Sequence, residues 1–93
     1  MFNNMYPELI NLVILQCSET KISELPSTLI NIDILDCNET NISEIPSSYV
    51  NLGELCCFHT LVTKIPYTLT NLGYLRCSPN TEVQCHVEYV INY

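Results

Sequence analysis

The sequence predicts a solenoid of short parallel β-strands joined by extended return segments, with little or no helix. Three observations predict it. A residue pattern recurs every 20 positions, within which two inward-type positions sit two residues apart, and proline closes each of the first three units. Asn11-Leu12, Asn31-Ile32, Asn51-Leu52 and Asn71-Leu72 mark the recurrence, as do Leu15, Leu35, Leu55 and Leu75 and then Cys17, Cys37, Cys57 and Cys77. Thr20, Thr40 and Thr60 follow, then Ile22, Ile42 and Val62, then Leu25-Pro26, Ile45-Pro46 and Ile65-Pro66. A fixed period of this length is the signature of a stacked repeat. Leu-x-Cys puts two apolar side chains on one face of a strand, because side chains alternate along it. Proline and the residue before it resist the helical interior, so the return segment is expected to be extended.

Composition narrows the class of function. The chain has 93 residues, room for one domain, and 47% of them are hydrophobic against 14% charged, which excludes a disordered polar chain. Ten acids face three bases, Lys21, Lys64 and Arg76, for a formal net charge of −7. That balance opposes binding to nucleic-acid phosphates and to anionic membranes, both of which reward clustered cations. No run of eighteen apolar residues offers a bilayer span.

The repeat resembles the leucine-rich repeats of the short class, Leu-x-x-Leu-x-Leu-x-x-Asn-x-Leu with Leu-Pro after it. In the second unit the matching residues are Ile32, Leu35, Cys37, Thr40, Ile42, Ile45 and Pro46. Cysteine stands where the family has its third leucine and stays apolar and inward. Threonine stands where the family has asparagine, with fewer hydrogen-bonding groups to satisfy the turn. The resemblance extends to repeats of bacterial effectors and, in the Cys/Thr variant, of large amoeba-infecting DNA viruses. It implies a leucine-rich repeat solenoid with its strands on a concave, partner-binding face and an extended convex side. On that reading residues 1–93 form a single domain of four units, with strands near 12–17, 32–37, 52–57 and 72–77. Bacterial effectors with similar repeats often carry a separate catalytic domain, for which the repeats here are expected to leave no room.

The ends depart from the pattern. The first unit is one residue shorter than the others, counted from Pro7 to Leu12 against Pro26 to Ile32, and Tyr6-Pro7 reads as the end of an earlier unit. In the fourth unit Asn80 falls in the family's asparagine register, and one residue is inserted if Thr81 and Val83 are equivalent to Thr60 and Val62. Residues 90–93 resemble 49–52, which would have a fifth strand about to begin, while 83–93 alternate apolar and mostly polar residues as a strand does. The tail 83–93 is therefore read as a makeshift cap, a hybrid of terminal strand and partial fifth unit.

The outward strand positions carry the functional expectation. Counting from Leu35 and Cys37 and stepping by 20, the first row is Ile14, Ile34, Glu54 and Tyr74, and the second is Gln16, Asp36, Cys56 and Arg76. A third row is Ser18, Asn38, Phe58 and Ser78, with Glu19, Glu39, His59 and Pro79 beyond the strands. Inward positions repeat closely and outward ones vary. β-branched and aromatic residues suit strands in any case, yet aromatic and aliphatic anchors beside an arginine also make a binding hot spot. Ile14, Gln16, Ile34, Asp36, Glu54, Cys56, Phe58, His59, Tyr74 and Arg76 are thus the expected contacts for a protein partner.

Four of the six cysteines are explained by the repeat, and their near-parallel Cβ vectors are poor geometry for bridges. Reduced thiols, and an apolar stretch 9–15 that is short, falls in repeat register and has no basic residue before it, give an intracellular, reducing compartment as the expected setting, in which the sequon matches at Asn38 and Asn41 are chance. For a viral protein, that setting would be the virion or the host cytoplasm. No enzymatic activity, cofactor or metal is expected. Cys56 and His59 lack an orienting group and an oxyanion donor, and Cys56, His59, Cys85 and His86 have no recognised zinc spacing. Stacked acids such as Glu24 and Glu44 recur because the unit recurs. The asparagine column (Asn11, Asn31, Asn51, Asn71 and the candidate Asn92) is assigned to turn backbones. Four units lie near the minimum for a stack, and its ends expose strand edges. Self-association into a homodimer or higher oligomer is expected, so the alternative function is a self-assembling structural or virion-packaging component joined through solenoid ends.

Overall fold

The computed structural model describes residues 10–92. It is a parallel-strand β-solenoid of about four turns, with no α-helix among the described residues. In chain order the strands are β1 (Ile14–Gln16), β2 (Ile34–Asp36), β3 (Glu54–Cys56), β4 (Lys64–Ile65), β5 (Tyr74–Cys77), β6 (Glu82–Val83) and β7 (Tyr89–Asn92). Strands β1, β2, β3, β5 and β7 form one five-stranded sheet in that order, every pair parallel, while β4 and β6 pair on the return segments. The expectations for Tyr6-Pro7, Leu9 and Tyr93 lie outside the described residues. No helix among those residues is long and apolar enough to cross a membrane.

The register follows the repeat. Leu15 pairs with Leu35, Leu35 with Leu55 and Leu55 with Leu75, so each column is built from one repeat position. Leu35, Leu55 and Leu75 are fully buried, as are Cys37 and Cys77, and Ile32, Ile42, Ile45, Leu52, Val62 and Ile65 fill the space behind them. The first rung is looser: Leu12, Leu15 and Ile22 are half-buried against the core. Tyr49 takes a position held by Leu29 and Leu69 in neighbouring units and is fully buried. Its hydroxyl would be costly there without a partner, and it donates to the Pro26 carbonyl at 2.7 Å.

Side chains tie the turns together. Thr20, Thr40 and Thr60 donate to the carbonyls of Cys17, Cys37 and Cys57 at 2.7, 2.8 and 2.8 Å. Thr40 and Thr60 also accept from the amides of Ile42 and Val62, so one hydroxyl serves both a carbonyl and an amide. Asn31, Asn51 and Asn71 donate from Nδ2 to the carbonyls of Ile10, Ile30 and Val50 in the preceding unit. Ser48 and Thr68 make a second ladder to the carbonyls of Ser27 and Ser47.

The last turn breaks the period, and the cause is local. Glu19, Glu39 and His59 adopt left-handed backbone, with φ of 58°, 56° and 56°, to leave the strand. The corresponding residue in the fourth unit is Pro79, whose ring fixes φ near −65° and forbids that turn. The chain turns instead through a Thr81 amide bond to the Ser78 carbonyl at 3.1 Å. Val83 then pairs with Ile65, so it is not the counterpart of Val62. β7 follows early: Val90 pairs with Leu75, 15 residues on. The likeness of 90–93 to 49–52 pointed to a strand past residue 93, whereas the fifth rung is formed by 89–92. Asn92 lies beside Cys77, donating to its Sγ at 3.6 Å and to the Ser78 carbonyl at 3.3 Å, and does not join the asparagine column.

Candidate outer face of the sheet

The pleat fixes which side chains leave the core. With Leu15, Leu35, Leu55, Leu75 and Val90 turned inward, the first outward row is Ile14, Ile34, Glu54, Tyr74 and Tyr89, each paired with the next. The second is Gln16, Asp36, Cys56, Arg76 and Ile91. These rows contain the expected strand residues and add Tyr89 and Ile91, which sequence reasoning missed because the last turn is short. Strand neighbours sit about 4.8 Å apart, so each row is a continuous strip.

The face is graded from end to end. Ile14 is 51% exposed, and Gln16 and Glu54 are exposed, whereas Ile34, Asp36, Cys56, Tyr74 and Arg76 are half-buried by one another. Arg76 Nε donates to the Tyr74 hydroxyl at 2.9 Å, and its guanidinium carbon lies 5.7 Å from that ring's centroid. An arginine held against a tyrosine is a preorganised contact group, since its side chain has already lost freedom that binding would otherwise remove. Beyond the strands, Phe58 and His59 meet edge to face at 5.1 Å. His59 Nδ1 lies 3.7 Å from a Glu39 carboxylate oxygen, with both side chains open to solvent. The third row is partly structural. Asn38 Oδ1 accepts from the Phe58 amide at 3.1 Å, and Ser78 Oγ accepts from the His59 amide at 3.1 Å.

Burial raises the pKa of every thiol. All six are free. Burial pushes the Cys57 thiol up to about 12, helped by Cys77 and Cys56, and burial raises Cys37 further still. Cys56 is also raised, first by burial and then by Asp36, with Arg76 pulling the other way and Glu54 adding to the rise. A nucleophilic cysteine needs a lowered pKa, and the surroundings of Cys56 do the opposite. Among the described residues no three His, Cys, Asp or Glu side chains gather where a metal ion could sit.

The return side carries an open depression lined in part by Ser43, Ser47, Thr63, Lys64 and Gln84. Ser48, also at its edge, spends its hydroxyl on the Ser27 carbonyl. The depression thus lies along the ladder that holds the turns and offers no converging charged groups beyond Lys64 and Glu44. The outer sheet face is the better candidate surface. Comparison of the chain with protein-family models, with curated proteins and with solved structures found no match.

Proposed function

We propose that the chain is a short leucine-rich repeat module that binds a protein partner across the outer face of its main sheet, without catalysis. One observation carries this reading. The inward columns hold leucine and cysteine nearly unchanged, while the outward rows change from Ile34 to Glu54 to Tyr74 and from Asp36 to Cys56 to Arg76 over the same backbone. A face with only a structural duty has no use for that variety, whereas a set of aromatic, aliphatic and charged groups around a fixed arginine suits recognition. The Cys/Thr form of the repeat and its proline-bounded return segments support the family reading. Free thiols in the buried columns are in keeping with a reducing, intracellular setting.

The test is capture of a partner from the source cells by immobilised protein, comparing the natural chain with a Phe58→Ala/Tyr74→Ala double variant. Both side chains are only half-buried and lie off the core, so the variant is expected to keep its fold, checked by circular dichroism. Partner affinity is expected to fall about tenfold or more, the usual effect of removing hot-spot aromatics. Unchanged capture by a folded variant would reject the outer face as the binding surface.

A further inference from the structure

The acids on the outer face are not products of the repeat. Glu19 and Glu39 recur at one position of the unit, as do Glu24 and Glu44. Asp33, Asp36 and Glu54 do not: one period away stand Val13 and Gly53, Gln16 and Cys56, and Ile34 and Tyr74. Asp36 and Glu54 belong to the outward rows of β2 and β3, and Glu54 pairs directly with Ile34. Asp33 precedes β2, and its carboxylate reaches across to the next rung. A Cβ on Gly53 would come within 2.6 Å of Asp33 Oδ1, and Gly53 has no positive φ that would call for glycine. The carboxylate lying over Gly53 thus accounts for the missing side chain. Among the described residues no cation lies within ion-pair distance of these three acids. Of the three bases, only Arg76 stands in the outward rows, at the β5 end, while Lys21 and Lys64 lie in the turn and return segments.

We infer that the partner segment docked on this face is basic: an extended stretch in which lysine or arginine alternates with aliphatic residues, its cations over the β2–β3 end. The inference rests on the outer face being the binding surface and names the chemistry of what binds there. Ile14 is 51% exposed and Ile34 half-buried, so the apolar stem of a lysine or arginine has a surface to lie on while its charged head reaches the carboxylates. Like charges on adjacent rungs repel one another, and a bound cation relieves that repulsion. Complementary charge also steers the encounter and fixes the register of the docked segment. Arg76 opposes a base at the β5 end, so the segment is seated in one sense only. A second copy of this chain, also at net charge −7, is a poor occupant, because its overall charge opposes the approach.

Fluorescence anisotropy of the full chain with a labelled peptide, Lys-Val-Lys-Val-Lys-Val-Lys, and with its glutamate counterpart tests this. The basic peptide is expected to bind and the acidic one is not. Asp36→Asn/Glu54→Gln is expected to weaken binding about tenfold. Glu24→Gln/Glu44→Gln removes the same charge from exposed acids of the return segments and is expected to change binding by less than about twofold. Gly53→Ala keeps every charge but displaces the Asp33 carboxylate, and is expected to weaken binding severalfold. Equal losses in the two acid variants would trace the attraction to overall charge and overturn the assignment. So would unchanged binding by Gly53→Ala, or no preference for the basic peptide. Capture of the cellular partner that is lost with Phe58→Ala/Tyr74→Ala but kept with Asp36→Asn/Glu54→Gln would also overturn it, while leaving the outer face as the binding surface.

Discussion

Leu55→Ala is expected to destabilise the chain by about 3 kcal/mol, within the range for deleting a fully buried leucine side chain. Leu55 is fully buried in β3, with Leu35 on one side and Leu75 on the other. A stack holds together through contacts between adjacent rungs, so a cavity in the middle rung weakens both interfaces at once. For a small domain such a loss is a large part of the total stability. Leu15→Ala on the half-buried first rung is the matched comparison, and its cost is expected to be about 1 kcal/mol, because the side chain is already partly in water. Urea denaturation of both variants measures the difference. Equal losses at the two positions would contradict a rung-by-rung core.

The second large effect concerns alkali. Cys57 sits in the buried column with its thiol pushed from an ordinary 9.0 up to about 12 by burial first, and then by the neighbouring Cys77 and Cys56. Between those values the unfolded chain gives up the proton and the folded chain keeps it, so rising pH favours unfolding. The stability from this thiol is complete below pH 9 and is lost progressively towards pH 12. Each pH unit in that window removes roughly 1.4 kcal/mol per thiol held in this way. Cys37, shifted further in the same direction by burial first, adds its own loss. Urea midpoints measured from pH 8 to 11 are expected to fall steadily above pH 9. Cys57→Ala, although less stable at neutral pH, is expected to show a shallower fall. A flat profile for the natural chain would mean that the thiols ionise as freely in the folded state as in the unfolded one.

Much of this architecture was legible in the sequence for a physical reason. A residue in a stack is buried by its counterparts one period away, so Leu35, Leu55 and Leu75 reveal their burial through recurrence alone. The outward rows were legible by the same logic, since alternation along a strand assigns Asp36, Cys56 and Arg76 once Leu35 and Cys37 are inward. What was not legible depends on single residues that interrupt the period. Pro79 forbids the left-handed turn used at Glu19, Glu39 and His59, and everything after it moves. A strand within the tail was legible from its alternation, but the likeness of 90–93 to 49–52 did not give its pairing of Val90 with Leu75, so Tyr89 and Ile91 were not counted with the outer rows. Contacts between side chains were also hidden. The hydrogen bond of Arg76 to Tyr74 joins two residues of one strand through their side-chain lengths, which a spacing of two does not disclose. The bond from the Tyr49 hydroxyl to the Pro26 carbonyl crosses units at a position that otherwise reads as plain leucine.

Adjacent residues on opposite faces give the most direct check of the fold. Cys56 lies half-buried on the outer face, and Cys57 is 1% exposed within the core. Brief alkylation of the native chain at pH 8, followed by mass spectrometry of the peptide containing both, separates them. Cys56 is expected to be labelled well before Cys57, with Cys37 as protected as Cys57. Labelling of Cys57 and Cys37 at the rate of Cys56 would contradict a buried thiol column.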